Sequence, residues 1–307
     1  MSIPLGELFG LLAAACWATG GVLFSRAPLP AWAINLTKNA VAGAALLATF
    51  VAIGVARGGV ETAVDLGVLA WLVPSAYVGI VLGDTWYLRA LKSVGPRKAM
   101  VIETLVPGFG LALGWFVLGE LVPPLGLLGM TVTLAGVVMV VGDGPAAPAR
   151  GLDAVDSPTA GVVYAVLAAL AQAVGAAWSK RGILRLEELG AADAPLEASV
   201  VRVATAAVLG LAIAAAFGRL RPRGARLRRP FVARWVIPSA LIGTYLGIWF
   251  SMLAFRHTSI AVATTLNSTT PIFVLPIVAL FLRQRVTRRG VLGAVVAVAG
   301  VIILVRA

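Results

Sequence analysis

The chain has 307 residues, of which 60% are hydrophobic and 12% charged, and its mean hydropathy is +0.97. Soluble domains hold about 25% charged residues, so the composition excludes an ordinary soluble fold and places the chain in the membrane class. The formal charge is +12, but the bases sit in short clusters between apolar runs, with no aromatic interleaving. They are read as loop charges that orient membrane spans, not as a nucleic-acid surface.

A spanning helix needs about 20 apolar residues, and ten segments qualify. The first, 6–25, carries Trp17 about halfway along. Its "AAAC" at Cys16 lacks a basic start and a large apolar residue three positions earlier, so an uncleaved span is expected. Cys16 is the single cysteine, which excludes a disulfide within the chain. Segment 31–56 contains Lys38, 67–88 contains Tyr77, Asp84 and Tyr87, and 98–118 contains Glu103 and Pro107. Segment 122–142 closes the first half. Residues 143–158, rich in Pro, Gly, Ala and Asp, read as a linker. Segment 159–179 holds Trp178 and 196–217 holds Arg202. The basic loop 218–234 leads to 235–255. Segment 260–282 carries Thr264, Asn267, Ser268 and Pro271, and 287–305 ends the chain.

The chain repeats itself at an offset of 164. "WLVPSAYVGIVLG" falls on "WVIPSALIGTYLG", and "GLLGMTVTLAGVVMVV" on "GVLGAVVAVAGVIILV". From 71 to 142 there are 22 identities over 72 positions without a gap. Pro107 pairs with Pro271, Lys38 with Arg202, Glu103 with Asn267, and Asp84 with Ile248. The first spans align at a slightly different offset, Trp17 on Trp178. The expected units are therefore 1–142 and 159–307. Five spans is an odd number, so the second copy enters the membrane from the opposite face. Inverted repeats around a midplane site are a transporter architecture.

Two five-helix halves, the stretch "GDTWYLRALKSVGPRKAMVIETLVPGFGLALGWFVLGE" and the repeated "LGxxxxxAG" resemble the drug/metabolite transporter superfamily, EamA-like branch. The resemblance covers nearly the whole chain. It implies a ten-helix bundle that moves small metabolites, often outward. Gly119-Glu120 is similar to the family's Gly-Glu after the fourth helix, whereas the second half has Arg283-Gln284 there. Any role of that acid carries over to Glu120 alone.

With ten spans both termini share one face, here side A; the other is side B. At about 1.5 Å per residue, Lys38, Asp84 and Glu103 all lie on the order of 10 Å inside side B. Each ionisable group alone would cost about 2.5–3.5 kcal/mol at mid-bilayer on insertion scales, so Lys38 is expected to neutralise one acid. The second acid is then the candidate for carrying a proton. Helical spacing puts Tyr77, Ile80, Asp84 and Tyr87 on one stripe, Met100, Glu103, Pro107 and Gly110 on another, and Thr264, Asn267, Ser268 and Pro271 on a third. Trp17 and Trp178 are candidate pocket walls, and Arg202 mirrors Lys38 nearer side A. Pro107 and Pro271 remove a backbone donor in mid-helix and are candidate gate kinks.

The lone His257 sits at a helix end, and there is no G-x-S-x-G, cysteine pair or phosphate-binding glycine loop. No enzyme chemistry, cofactor or metal is expected. The expectation is a secondary transporter for a small metabolite, with an amino acid or similar zwitterion fitting the mixed charges. Export or exchange and proton coupling are expected, with an uncoupled facilitator or a membrane sensor or scaffold as alternatives. Orientation is contested: side B holds 17 Lys and Arg against 6 on side A, which puts the termini outside, while the family resemblance implies termini inside. A multi-pass protein of a bacterial inner membrane fits both.

Overall fold

The computed structural model describes residues 4–24, 27, 29–94, 99, 102–142, 157–218, 230, 232–281 and 287–307. Most of the linker 143–158, most of the basic loop 218–234, Met100, and the Arg283-Gln284 pair lie outside them. Among the described residues every regular element is helical. In hydrocarbon a helix satisfies its own backbone groups, which an open strand cannot do.

The spans are α1 (Leu5–Phe24), α2 (Ala31–Ala56), α3 (Leu66–Ser75, Ala76–Gly83 and Asp84–Ser93), α4 (Val106–Leu113 and Gly114–Leu118), α5 (Pro124–Gly142), α6 (Pro158–Glu188), α7 (Ala194–Ala216), α8 (Val232–Val236, Ile237–Ser239, Ala240–Leu246 and Gly247–His257), α9 (Ile260–Asn267 and Thr270–Phe281) and α10 (Arg288–Val305). Eight are long and apolar enough to cross a membrane; α4 and α9 supply shorter apolar helices. The ten-helix fold read from the sequence therefore stands. Side-chain caps fix several starts: Asp65 accepts from Val68 N–H, Ser157 from Ala160, Asp193 from Leu196, and Ser259 from Val262.

Three features depart from simple apolar spans. First, α6 runs to Glu188, past the expected end at 179. Its 31 residues reach about 46 Å, and the charged last turns find partners instead of forming a loop. Second, α3 and α8 turn π-helical at Ala76–Gly83 and Ala240–Leu246, one repeat offset apart. Each stretch follows a Pro-Ser pair, and a wider turn relieves the clash of an in-helix proline with the preceding turn. Third, α4 and α9 break at Thr104–Leu105 and Ser268–Thr269, again one offset apart and just ahead of Pro107 and Pro271.

The halves interlock. α1 packs on α8 and α9, α6 on α3 and α4, α2 on α7, and α5 on α10. Small residues make this possible where lipid removes the hydrophobic drive to associate. A Cβ on Gly20 would lie 2.7 Å from Gly243 Cα, and one on Gly175 would lie 2.9 Å from Gly79 Cα. The "LGxxxxxAG" glycines are the α5–α10 seam. A Cβ on Gly136 would come 2.6 Å from Gly293 O, and one on Gly293 would come 2.8 Å from Gly136 O.

The main apolar cluster includes Leu46, Leu72, Ile183, Leu186, Leu196 and Met252. By helix direction these residues lie in the side A half of the bundle. Interrepeat ion pairs lie beyond it at the same end: Arg185–Asp65 at 2.9 Å and Lys180–Glu120.

Candidate functional site

α2 presents Asn35, Lys38 and Asn39 at i, i+3 and i+4, hence on one face. Asn35 and Asn39 are 7% and 1% exposed, and Lys38 is 9% exposed. Asn35 Nδ2 donates to the Ile80 carbonyl at 3.4 Å, and Asn39 Nδ2 to Asn35 Oδ1 at 3.1 Å. Lys38 Nζ donates to Asn39 Oδ1 at 3.2 Å and reaches Asp84 Oδ2 at 2.7 Å. Asp84 is the first residue after the π-helical stretch of α3. Its other oxygen, Oδ1, accepts from Gln172 Nε2 of α6 at 3.0 Å. Both Asp84 oxygens are thus engaged, one by each repeat, and Lys38 and Asp84 each have an opposite charge and a polar partner. A buried pair persists only with such supporting hydrogen bonds.

Glu103 joins this layer differently. It lies within the electrostatic reach of Asp84, as does Tyr87. Among the described residues Glu103 Oε1 is buried with no hydrogen-bond partner. Tyr87 packs among Ala90, Ala99 and Ala165. The expected layer of Lys38, Asp84 and Glu103 is therefore one neighbourhood. Asn35, Asn39 and Gln172 are not among the residues expected from the sequence. Asn35 and Asn39 were discoverable, sharing a face with Lys38 in an apolar span. Gln172 has an apolar residue, Leu11, at its repeat position, so symmetry gave no hint of it.

Other candidates fall elsewhere. Tyr77 is 42% exposed and continues the outward stripe of Leu66, Leu69 and Val73. The π-helical turns after Ser75 add residues per turn and break the 3.6-residue stripe that joined Tyr77 to Asp84. Trp17 covers Gly247, where a Cβ would meet the indole Nε1 at 2.5 Å. Trp178 is half-buried in α6. Thr264 Oγ1 and Ser268 Oγ donate to their own helix, at the Ile260 and Thr264 carbonyls (2.7 and 2.9 Å), a common use of hydroxyls in apolar helices. Pro271 leaves the Asn267 carbonyl without its usual helical donor, and Thr270 Oγ1 donates there at 2.7 Å. Pro107 is buried in the first turn after the α4 break.

Arg202 is 6% exposed. Among the described residues its Nη1 approaches the Met252 sulfur, at 3.9 Å, and its Nε has no hydrogen-bond partner. Asn267 donates to Ser251 Oγ at 3.3 Å, while its Oδ1 has no hydrogen-bond partner among the described residues.

Glu120 closes the side A end. One oxygen pairs with Lys180 and the other accepts the Ile260 N–H at 2.8 Å, at the start of α9. Lys180 also donates to the Thr258 carbonyl at 2.7 Å. Glu197 Oε2 accepts from Thr62 Oγ1 and Ala63 N–H, at 3.2 and 3.1 Å, tying α7 to the α2–α3 loop.

Comparisons agree with this architecture. A solved structure described only as "Crystal structure of protein" superposes with a TM-score of 0.71 over 99% of this chain and 98% of its own. The two are 18% identical, so the likeness bears on the fold alone. No curated protein matches the sequence. The EamA-like transporter family model matches twice, over residues 4–142 and 159–306. Two inverted-repeat matches spanning nearly the whole length, on an interlocked ten-helix bundle with a charged layer inside it, mean that the chain belongs to the EamA-like transporter family, whose members are multi-pass membrane transporters of small molecules.

Proposed function

We propose that the protein is a secondary transporter that exports or exchanges a small metabolite by alternating access, with a proton carried on Glu103. The observation that carries this reading is the Lys38–Asp84 pair at 2.7 Å, held by Gln172 from the opposite repeat beside Glu103, whose buried Oε1 has no hydrogen-bond partner among the described residues. A charged layer of this kind is costly in a bilayer and marks substrate or proton paths. The side A end carries an apolar cluster and interrepeat ion pairs, as expected of a carrier closed toward that face. The matched breaks in α4 and α9 beside Pro107 and Pro271 fit hinges that open it. If they are hinges, Pro271→Ala slows turnover more than it weakens binding; equal turnover would leave only a bend.

The charge bias supports side B facing the cytoplasm of a bacterial cell. An impermeant thiol reagent that modified a single cysteine in the 218–234 loop of intact cells would contradict that orientation.

The test is flux of labelled amino acids and related metabolites from proteoliposomes, with and without a pH gradient. Gradient-driven flux in the wild type, and flux indifferent to the gradient in Glu103→Gln, is the expected result. Flux indifferent to the gradient in the wild type indicates a facilitator. No flux of any compound favours a sensor or scaffold.

A further inference from the structure

Symmetry exposes a missing partner. Lys38 and Arg202 occupy equivalent positions in the two repeats, as do Asp84 and Ile248. In the first repeat the cation meets a carboxylate at 2.7 Å and an amide at 3.2 Å. In the second, the position that would hold the carboxylate is an isoleucine, itself 8% exposed. Among the described residues Arg202 is left with one long hydrogen-bond contact, to sulfur, and a buried Nε without a hydrogen-bond partner; Asp84, already held by Lys38 and Gln172, reaches it only electrostatically. The side chain has not been excluded from the interior, since space is kept for it. A Cβ on Gly79 would stand 3.2 Å from Arg202 Nη2, so the absent side chain of Gly79 admits the guanidinium.

Two further unsatisfied groups belong to the same repeat. Trp249 lies one turn before Met252 on α8, hence on the stripe that Arg202 touches, and its buried Nε1 has no hydrogen-bond partner among the described residues. Asn267, the equivalent of Glu103, is 9% exposed, and its buried Oδ1 likewise has no hydrogen-bond partner among the described residues. A buried charge without a hydrogen-bonded counter-ion is strongly unfavourable in a resting protein. It is tolerated where a ligand completes it.

We propose that Arg202, assisted by Trp249 Nε1, is the subsite for a carboxylate group on the transported molecule. This rests on the transport reading. Lys38 and Asp84 neutralise each other, which leaves one positive charge at Arg202 and Glu103 as the second acid. A singly charged carboxylate balances Arg202, and the planar guanidinium fork matches its two oxygens. A phosphate monoester would bring up to two charges against one. A cargo that also carries an ammonium offsets Glu103 in charge, so an amino acid fits the charge count of the two groups.

The experiment is thermal unfolding of the detergent-purified full chain with propionate, L-alanine, propylamine or inorganic phosphate, at matched ionic strength. Propionate and L-alanine raise the midpoint of the wild type, and Arg202→Met abolishes that shift. Because Arg202→Met removes a buried charge that has no salt-bridge partner among the described residues, its ligand-free midpoint is equal to or above that of the wild type. Arg202→Lys keeps the charge, loses the fork, and needs at least about tenfold more carboxylate for the same shift. No carboxylate shift, a shift with phosphate or propylamine alone, or an undiminished carboxylate shift in either variant overturns the subsite. Transport is read separately by exchange in proteoliposomes. Arg202-dependent binding without exchange keeps the subsite and removes the carrier reading. Exchange of a carboxylate unaffected by Arg202→Met does the reverse.

Discussion

Lys38 Nζ lies 2.7 Å from Asp84 Oδ2 inside the bundle, and Gln172 of the other repeat holds the second Asp84 oxygen at 3.0 Å. One carboxylate thus joins α2, α3 and α6. Asp84→Asn leaves Lys38 without its counter-charge. Breaking a buried pair costs about 3–5 kcal/mol, and the 23% exposure of the Asp84 side chain puts this one at the low end. The variant is expected to insert, to melt at a lower temperature, and to lose flux. Lys38→Met combined with Asp84→Leu should recover much of the melting temperature and none of the flux. Recovery of flux in the double variant would reduce the pair to a helix pin.

The α5–α10 seam makes a different demand. A methyl on Gly136 would meet Gly293 O at 2.6 Å and Ala297 Cα at 2.7 Å, both backbone atoms that cannot rotate away. Gly136→Ala should destabilise the protein by about 1–3 kcal/mol, the usual scale of overpacking. Gly108→Ala, with nothing within 4 Å of the added Cβ, serves as the control in the same melting measurement. Equal loss in both variants would refute a close seam.

These cases show what the sequence could and could not convey. The repeat was legible because Trp, Pro and Gly recur at one offset, and the same offset locates the π-helical stretches and both helix breaks. The depth of Lys38, Asp84 and Glu103 followed from counting residues along spans. The stripe through Tyr77 failed because a 3.6-residue period cannot anticipate the wider turns after Pro74 and Ser75. Gln172 and the Arg202 environment depend on how α6, α7 and α8 pack across the repeats, which no local pattern encodes. The charges of α6 from Lys180 onward read as a loop, since their partners Glu120 and Asp65 are distant in sequence.

Asp65 gives the side A end a pH dependence. It lies outside the span, and the Val68 N–H, then Arg185, hold its carboxyl below the usual aspartate range. A depressed folded-state value contributes stability above the ordinary aspartate value of about 4, and that contribution is lost as pH falls through the lower, folded-state value. The melting temperature of the wild type should exceed that of Asp65→Asn near neutral pH, and the difference should shrink toward about pH 3. A difference independent of pH would contradict the assignment.

The central claim is that the side A end must open for cargo to pass. Arg185 and Asp65 span the two repeats there at 2.9 Å. Cysteines at both positions, in a Cys16→Ala background, can be bridged by a reducible bifunctional thiol reagent and the protein reconstituted with a labelled metabolite that the wild type carries. Flux should stop when the bridge forms and return when it is reduced. Undiminished flux through the bridged protein would contradict alternating access.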